Sequence, residues 1–226
     1  MIIKAKKLVE DLMKNENSGH GMEHINRVLE LALKFAEQET CNKDIVTLGV
    51  LLHDVDDYKL FGAQNQAELT NTKIILNQLD LDDATKNEVL NIVANIGYSK
   101  RLKGKTPQSI EGKIVSDADM CDAIGAIGIL RIQQYTLKHG NSFFDKDIWP
   151  IENINAQTYT KQCAETSVCH IFEKALKLKN LMLTKAGKKE AQKRHNFVVE
   201  FLRQFFEEEN VPNWQQYLTD YLANLD

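Results

Sequence analysis

Apolar side chains recur along most of this chain at the spacing of one face of an α-helix. Between residues 21 and 38, for example, Ile25, Val28, Ala32 and Ala36 fall on one side of the helix that they predict, with the period near 3.6 residues that is typical of a helix packed against a core. No convincing alternation of apolar and polar residues, the pattern of a half-buried strand, is present. An all-α fold is therefore predicted. The predicted helices lie near residues 2–14, 21–38, 43–54, 64–79, 83–96, 107–138, 160–182, 185–209 and 212–224.

One predicted helix of the core ends in a group of polar residues. Residues 45–52 are almost wholly apolar, and His53 and Asp54 follow them directly, with Asp56 and Asp57 close behind. A carboxylate buried there without a partner would lose much of its hydration, which destabilises the fold. A bound cation would satisfy it. A solvated helix end is the alternative, and for a His-Asp pair alone it is the more common of the two.

A histidine borders the apolar face of the helix predicted at 21–38. His24, Arg27 and Leu31 share one strip of that helix, at spacings of three and four residues. A lone histidine in such a place is more often a hydrogen-bonded core residue than a metal ligand. Arg27 favours a functional role for His24, because a guanidinium one turn away is a natural partner for phosphate.

Three aspartates crowd a turn and a half within the segment 107–138, which is one kinked helix or two. Asp117, Asp119 and Asp122 repel one another unless water or a cation lies between them. Two glycines one turn apart follow, and their size would let another helix approach closely. The alternative is an ordinary acidic surface turn that leads into a core segment.

Four ordered segments together resemble the HD-domain metal-dependent phosphohydrolases, an all-helical family named for its His…His-Asp…Asp ligand set. The segments are GHGMEHINRV, LLHDVDDYK, IEGKIVSDADMCDAIGAIGILR and HIFEKALKLKNLM, and they extend from Gly19 to about Arg194. The resemblance is to small bacterial members of about this length. It implies a single-domain HD-type helical bundle over residues 1–226, with the metal-site core at about 18–182 and C-terminal helices at 185–224 packed on it.

The resemblance also implies a ligand set for one divalent metal ion: His24, His53, Asp54 and Asp119. Asp119 is preferred to Asp117 because the last aspartate of the family lies in an Ala-Asp-x-hydrophobic context. Two nitrogen and two oxygen ligands favour Mn²⁺, with Co²⁺, Ni²⁺, Fe²⁺ or Mg²⁺ as alternatives.

The chain departs from the family pattern at three positions near this set. Met120 and Cys121 stand where the subgroup usually has Arg and Leu, and Gly187 stands in a stretch where a basic residue is expected. None of the three is a proposed ligand. The departures therefore bear on substrate preference more than on activity.

Catalysis and substrate binding need further side chains. By the resemblance, Asp57 helps to orient or deprotonate the attacking water beside the ligand Asp54, and these two are the expected catalytic residues; solvent exposure is the alternative for Asp57. A lysine stripe on an amphipathic helix, as at 170–177, is more often a solvated face. His139 and His195 are interpreted as structural. The expected substrate contacts are Arg27, Lys59, Lys100, His170, Lys174 and His20.

The function implied is hydrolysis of a phosphorylated small molecule, with a nucleotide as the expected partner. Within the family, cleavage of nucleoside triphosphates, notably deoxynucleotides, to a monophosphate and pyrophosphate is favoured over a 5′-nucleotidase or a phosphodiesterase. Two alternatives come from other classes. One is a di-iron oxygenase, for which the spare histidines form no obvious second ligand set, with His20 and Asp57 left as candidates. The other is a non-enzymatic HD module that binds a ligand.

Composition narrows these choices. The net charge of −4 argues against nonspecific binding to nucleic acid or to a membrane surface. The N-terminal residues have no apolar signal region, and the apolar runs are too short to span a bilayer. The four cysteines show no Cys-x-x-Cys spacing, which is typical of reduced thiols in a cytoplasmic protein. The oligomeric state is left open.

Overall fold

The computed structural model of the protein describes residues 1–14, 21–151 and 165–225, apart from the side chain of Lys59. Within these residues the chain is helical, and its β-structure is limited to one isolated bridge between Ser142 and Thr166. The prediction of an all-α fold is confirmed. The described helices also include no candidate membrane span, since none combines enough length with enough apolar character.

The helices follow one another with short connections over most of the described chain. Their bounds are α1 Ile2–Leu12, α2 Met22–Ala36, α3 Lys43–Leu52, α4 Tyr58–Glu68, α5 Thr70–Asn77, α6 Asp83–Asn95, α7 Tyr98–Leu102, α8 Ile110–Asp122, α9 Gly125–Lys138, α10 Ser167–Glu173, a 3-10 helix Ala175–Leu181, α11 Lys185–Glu208 and α12 Pro212–Ala223.

The segment predicted at 107–138 forms two helices, so the two-helix alternative is the right one. The chain turns between α8 and α9, where Gly125 has a φ of 84° that favours glycine. A Cβ at Gly125 would lie 3.3 Å from Cβ of Arg194 on α11, so α11 does approach there. Gly128 instead faces the backbone of Ala123, whose carbonyl carbon would lie 2.6 Å from an added Cβ.

Two other predicted helices differ from the observed ones, and one observed helix has no predicted counterpart. The helix predicted at 64–79 is divided between α4 and α5, and α4 has a kink at Gly62, where φ is 86°. The short helix α7 was not predicted. The helix predicted at 160–182 corresponds to α10 and the 3-10 helix, and its residues 160–164 lie outside the described part of the chain.

The contacts within the chain define two compact units, Met1–Met120 and Cys121–Asp226. In the first unit, α3 contacts α1, α2 and α6, and its leucines Leu48, Leu51 and Leu52 are fully buried. Their burial explains why the apolar run at 45–52 has no polar face. The prediction of one HD-type domain over residues 1–226 stays a prediction.

In the second unit, α11 contacts α9, the 3-10 helix and α12. An aromatic cluster fills the space beside α12, with Phe172, Phe206 and Trp214 fully buried. The ring of Trp149 stacks on that of Trp214 at a centroid distance of 4.2 Å, and Trp214 Nε1 donates to the carbonyl oxygen of Lys146. This core fixes α11 and α12 side by side.

Candidate metal centre

Two buried histidine rings meet in the first unit, where α3 ends. His24 lies on the buried face of α2 and is 2% exposed, and His53 directly follows α3 and is 8% exposed. Their Nε2 atoms are 3.0 Å apart, and the two rings are arranged edge to face. The two imidazoles therefore aim the same ring nitrogen at one point.

The backbone sets the orientation of the His53 ring. Nδ1 of His53 lies 2.7 Å from the carbonyl oxygen of Val50, and because a carbonyl oxygen only accepts, Nδ1 is the donor. In the neutral ring Nε2 then presents its lone pair to His24, as in histidines that bind metal ions. Nε2 of His24 lies at hydrogen-bonding distance from it, 3.0 Å, so a proton or a metal ion between the two nitrogens would hold them together.

Two carboxylates complete the cluster. Asp54 Oδ2 lies 3.6 Å from Nε2 of His24 and 3.3 Å from Nε2 of His53. Asp119 Oδ1, contributed by α8, lies 3.5 Å and 3.8 Å from the same two nitrogens. The donor atoms of His24, His53 and Asp119 all lie within 4.8 Å of one another. Two imidazole nitrogens and two carboxylate oxygens thus surround one small volume.

These separations fit a divalent cation. With ligand bonds of about 2.1 Å, two ligand atoms lie about 3.0 Å apart at a right angle and about 3.4 Å apart at the tetrahedral angle. The two ring nitrogens lie 3.0 Å from each other and 3.3 to 3.8 Å from the carboxylate oxygens. Nitrogen and oxygen donors in this mixture suit Mn²⁺, Fe²⁺, Co²⁺ or Ni²⁺. The residues could therefore hold such an ion with only small movements.

The electrostatics of the cluster favour positive charge at its centre. Burial lowers the pKa of His53, but the charge and hydrogen bond of Asp54, the charge of Asp119 and the hydrogen bond to Val50 raise it more, to about 10. Burial raises the pKa of Asp119, and its interaction with His24 and the charge of His53 outweigh that effect and lower it below the usual value. Both shifts describe a negative site that attracts a cation.

Close helix packing brings Asp119 to the two histidines. A Cβ on Gly49 of α3 would lie 3.1 Å from Cγ2 of Val115 on α8 and 3.3 Å from Cγ2 of Ile92 on α6. Asp119 is four residues after Val115, so both lie on the face of α8 that is turned to α3. Gly49 therefore contributes to the site although it carries no side chain, and the sequence signal for it was only a glycine inside a core helix.

The aspartates that follow α3 have different environments. Asp56 is buried, and its carboxylate accepts hydrogen bonds from the backbone nitrogens of Asn71 and Thr72, at 2.8 and 2.9 Å, and from the Thr72 hydroxyl at 2.7 Å. Asp56 thus holds the start of α5. The half-buried Asp57 begins α4, since its carbonyl oxygen accepts from the nitrogens of Leu60 and Phe61.

Lys100 on α7 lies within the field of these aspartates. Its Nζ donates to the carbonyl oxygen of Val93 at 2.7 Å. Burial and the charge of Lys105 lower its pKa to about 8, against the opposing effect of Asp57, Asp54 and Asp56. With a pKa of about 8, the Lys100 ammonium is still charged at neutral pH and can bind a phosphate group.

The other expected site residues have varied positions. Arg27 is half-buried on α2, one turn after His24. His20 and the side chain of Lys59 lie outside the described residues. His170 on α10 and Lys174, which follows that helix, belong to the second unit.

The other two aspartates of the acidic turn, Asp117 and Asp122, lie in different surroundings. Asp117 is fully buried. Asp122 accepts a hydrogen bond from Arg131 Nη1 at 2.9 Å, within the second unit. Of the three aspartates, Asp119 is therefore the one that reaches the histidine pair.

Known proteins resemble the chain over nearly its whole length. A family model described as HD domain matches residues 21–124. The chain is 31% identical over 207 residues to the Bacillus subtilis protein YpgQ, with 90% of each covered. The chain matches a crystal structure of YpgQ in complex with ADP with a TM-score of 0.69 and 26% identity, covering 92% of this chain and 94% of that one.

Two further crystal structures agree more closely in fold. A protein from Lactobacillus plantarum gives a TM-score of 0.80 at 31% identity, with 92% of this chain and 96% of that one covered. An HD-superfamily hydrolase from Bacillus thuringiensis gives a TM-score of 0.71 at 35% identity, with 93% and 97% covered.

Proposed function

The chain belongs to the HD domain family of metal-dependent phosphohydrolases, and on that premise we propose that its substrates are nucleotides. The favoured reaction is cleavage of a nucleoside triphosphate, a deoxynucleotide in particular, to the monophosphate and pyrophosphate. A 5′-nucleotidase or phosphodiesterase activity is the alternative within the family. The nucleotide proposal draws support from the ADP complex of YpgQ, which is a similar protein over most of its length.

The observation that carries the proposal is the convergence of four donor atoms from His24, His53, Asp54 and Asp119. The two ring nitrogens lie 3.0 Å from each other and 3.3 to 3.8 Å from the carboxylate oxygens. These residues are the proposed ligands, and Mn²⁺ is the favoured ion. A divalent ion held there supplies Lewis-acid activation of water and neutralises charge on phosphate oxygens. Among the described residues this is the one group of three or more potential ligands, and we propose that it holds one ion; His20, a candidate ligand for a second ion, lies outside those residues.

Three side chains then act on the attacking water and the substrate. Asp57 accepts the proton of the attacking water as the oxygen adds to the α-phosphorus and the bond to pyrophosphate breaks. Lys100 and Arg27 stabilise the negative charge that develops on the phosphate oxygens. Lys59, His170, Lys174 and His20 remain proposed substrate contacts.

The test is a panel of nucleotides and phosphoesters assayed with Mn²⁺, Co²⁺, Ni²⁺ and Mg²⁺, with orthophosphate and pyrophosphate measured separately. Pyrophosphate and a nucleoside monophosphate in equal amounts are the expected products. Orthophosphate without pyrophosphate would replace this proposal with the monophosphatase one.

A matched pair of variants makes the assay specific to the site. Asp54→Ala should abolish turnover with any of the metals, because it removes a proposed ligand. Asp80→Ala, which changes an exposed aspartate outside the helices, should keep full turnover. Full activity of folded Asp54→Ala would refute the proposed ligand set.

A further inference from the structure

A cavity of about 480 Å³ lies in the second unit, lined by residues of α11, the 3-10 helix and α12. On α11 its wall includes Gln192, Asn196, Val199 and Arg203, whose spacings of four, three and four residues place them on one helix face. Lys179 of the 3-10 helix forms another side. The volume is within the range of sites that bind small molecules.

Packed secondary structure forms the walls of this cavity. The helix α11 contacts both the 3-10 helix and α12. The side chain of Asn180 donates to the carbonyl oxygen of Leu225 at 3.0 Å, which joins the 3-10 helix to the residues that follow α12. A cavity with such walls exists before a ligand arrives, so less conformational entropy is lost on binding.

The cavity has the charge of an anion site. Lys179 and Arg203 both line it, and so does His195, a residue that is only 4% exposed. One carboxylate, Glu200, opposes the two cationic side chains of Lys179 and Arg203. An arginine fork and a lysine ammonium are the side chains that most often meet phosphate oxygens.

The remaining lining residues indicate what else the anion carries. Gln192 Nε2 donates to Asn196 Oδ1 at 2.7 Å, so the two amides form an exposed polar edge that, with Glu200, can bind hydroxyl groups. Val199 and Leu222 offer a small apolar wall for carbon atoms. Among the described lining residues there is no Phe, Tyr or Trp on which a nucleobase could stack, so the lining favours a sugar or polyol over a nucleotide.

We propose that this cavity is a second binding site, which takes a small organic phosphate with hydroxyl groups, and that Lys179 and Arg203 bind its phosphate group. None of the lining residues is among the proposed metal ligands. The proposal therefore stands or falls separately from the hydrolase reaction.

Calorimetric titration of the full chain tests it, after metal has been removed with a chelator and the chelator dialysed away. The probes are glycerol 3-phosphate, inorganic phosphate and citrate. Glycerol 3-phosphate should bind at one site per chain and more tightly than inorganic phosphate, because it also uses the polar edge. Lys179→Gln with Arg203→Gln should weaken binding at least about tenfold, since two charge-assisted interactions are lost.

Three controls make each outcome decisive. Lys189→Gln with Lys193→Gln removes the same charge from exposed positions of α11 outside the cavity and should leave the affinity within about twofold. Asp54→Ala should bind as the wild type does, which separates this site from the metal centre. Arg203→Lys in the presence of Lys179 should bind better than Arg203→Gln, and this comparison holds if the double variant fails to fold.

The proposal is overturned if neither phosphate binds to the chelated protein, which would mean a solvated groove only. It is also overturned if the exposed lysine pair matters as much as the cavity pair, if Asp54→Ala abolishes binding, or if citrate binds in place of both phosphates.

Discussion

The ring of His53 donates from Nδ1 to the carbonyl oxygen of Val50, 2.7 Å away and three residues earlier in the chain. This bond leaves Nε2 of His53 to point at Nε2 of His24, so the C-terminal turn of α3 determines which nitrogen enters the site. The orientation of this proposed ligand thus depends on the helix backbone.

Metal binding should stabilise the folded protein. The cluster brings two carboxylates to two ring nitrogens, and a ligand that binds only the folded state adds about 4 kcal/mol at a thousand times its dissociation constant. Micromolar to millimolar Mn²⁺ should therefore raise the thermal midpoint of chelated protein, measured by scanning fluorimetry, by several degrees. Asp119→Asn should lose most of this shift. An equal shift in Asp119→Asn would mean that the ion binds elsewhere.

Substitution of Asp56 should lower the stability of the fold, whereas substitution of Asp57 should lower the catalytic rate. Asp56 is buried and accepts three hydrogen bonds at the start of α5, so Asp56→Ala should lower the free energy of unfolding by about 2–4 kcal/mol. Urea unfolding followed by circular dichroism measures this change. At low temperature the folded fraction should keep its turnover, because the Asp56 carboxylate binds the start of α5 and has no proposed role in catalysis.

Asp57→Asn should lower the catalytic rate and leave the stability nearly unchanged. Asp57 is half-buried and is the proposed proton acceptor, so kcat of the variant should fall about a hundredfold or more, while the free energy of unfolding changes by less than about 1 kcal/mol. Steady-state kinetics and urea unfolding on the same preparation separate the two effects. Normal kcat in Asp57→Asn would remove it from the catalytic residues.

The pH dependence of substrate capture should depend on Lys100. Its pKa is about 8 in the folded protein, so the ammonium is present below pH 8 and is lost as the pH rises through that value. If this charge binds substrate phosphate, kcat/KM of the wild type should fall above about pH 8, since kcat/KM reports the free enzyme. Lys100→Arg keeps its charge and should show no such fall. Parallel profiles for both proteins would argue against the contact.

The lowered pKa of Lys100 also affects stability, which should rise with pH where substrate capture should fall. The folded pKa of Lys100 lies below its ordinary value of 10.5, so between these values the unfolded chain binds more protons than the folded one. This group therefore lowers stability at pH values below 8, and that cost disappears as the pH rises toward 10.5.

Gly49 should affect metal affinity without touching the metal. A Cβ there would lie 3.1 Å from Val115 Cγ2, so Gly49→Ala should push α3 and α8 apart by a few tenths of an ångström and weaken Mn²⁺ binding by about tenfold. Alanine also favours the helix by about 1 kcal/mol, so the free energy of unfolding should change little. Val115→Ala, combined with Gly49→Ala, should restore the affinity. Equilibrium dialysis measures the Mn²⁺ affinity of the wild type, of each single variant and of the double variant.

Much of the centre was predictable because each proposed ligand lies in its own recognisable segment. His24 borders a regular apolar face, and His53 and Asp54 end an apolar run. The choice of Asp119 over Asp117 came from the family pattern, and the structure places Asp119, on the face of α8 near Val115, against the histidines.

Other features could not be predicted, because they depend on contacts between segments distant in sequence. Asp56 and Asp57 look alike in the sequence, and only the position of Thr72 distinguishes the cap of α5. The burial of Lys100 depends on Val93 and the aspartates around it. His195 was interpreted as structural, and its place in the wall of a cavity depends on the 3-10 helix and α12, which no helical period reveals.

The most direct test of the account is anomalous diffraction from crystals of the protein grown or soaked with Mn²⁺. The account predicts one strong anomalous peak per chain in the first unit, within about 2.0–2.4 Å of His24 Nε2, His53 Nε2, Asp54 Oδ2 and Asp119 Oδ1. Saturating Mn²⁺ with no peak between these four atoms, or a peak held by other residues while they remain apart, would contradict it.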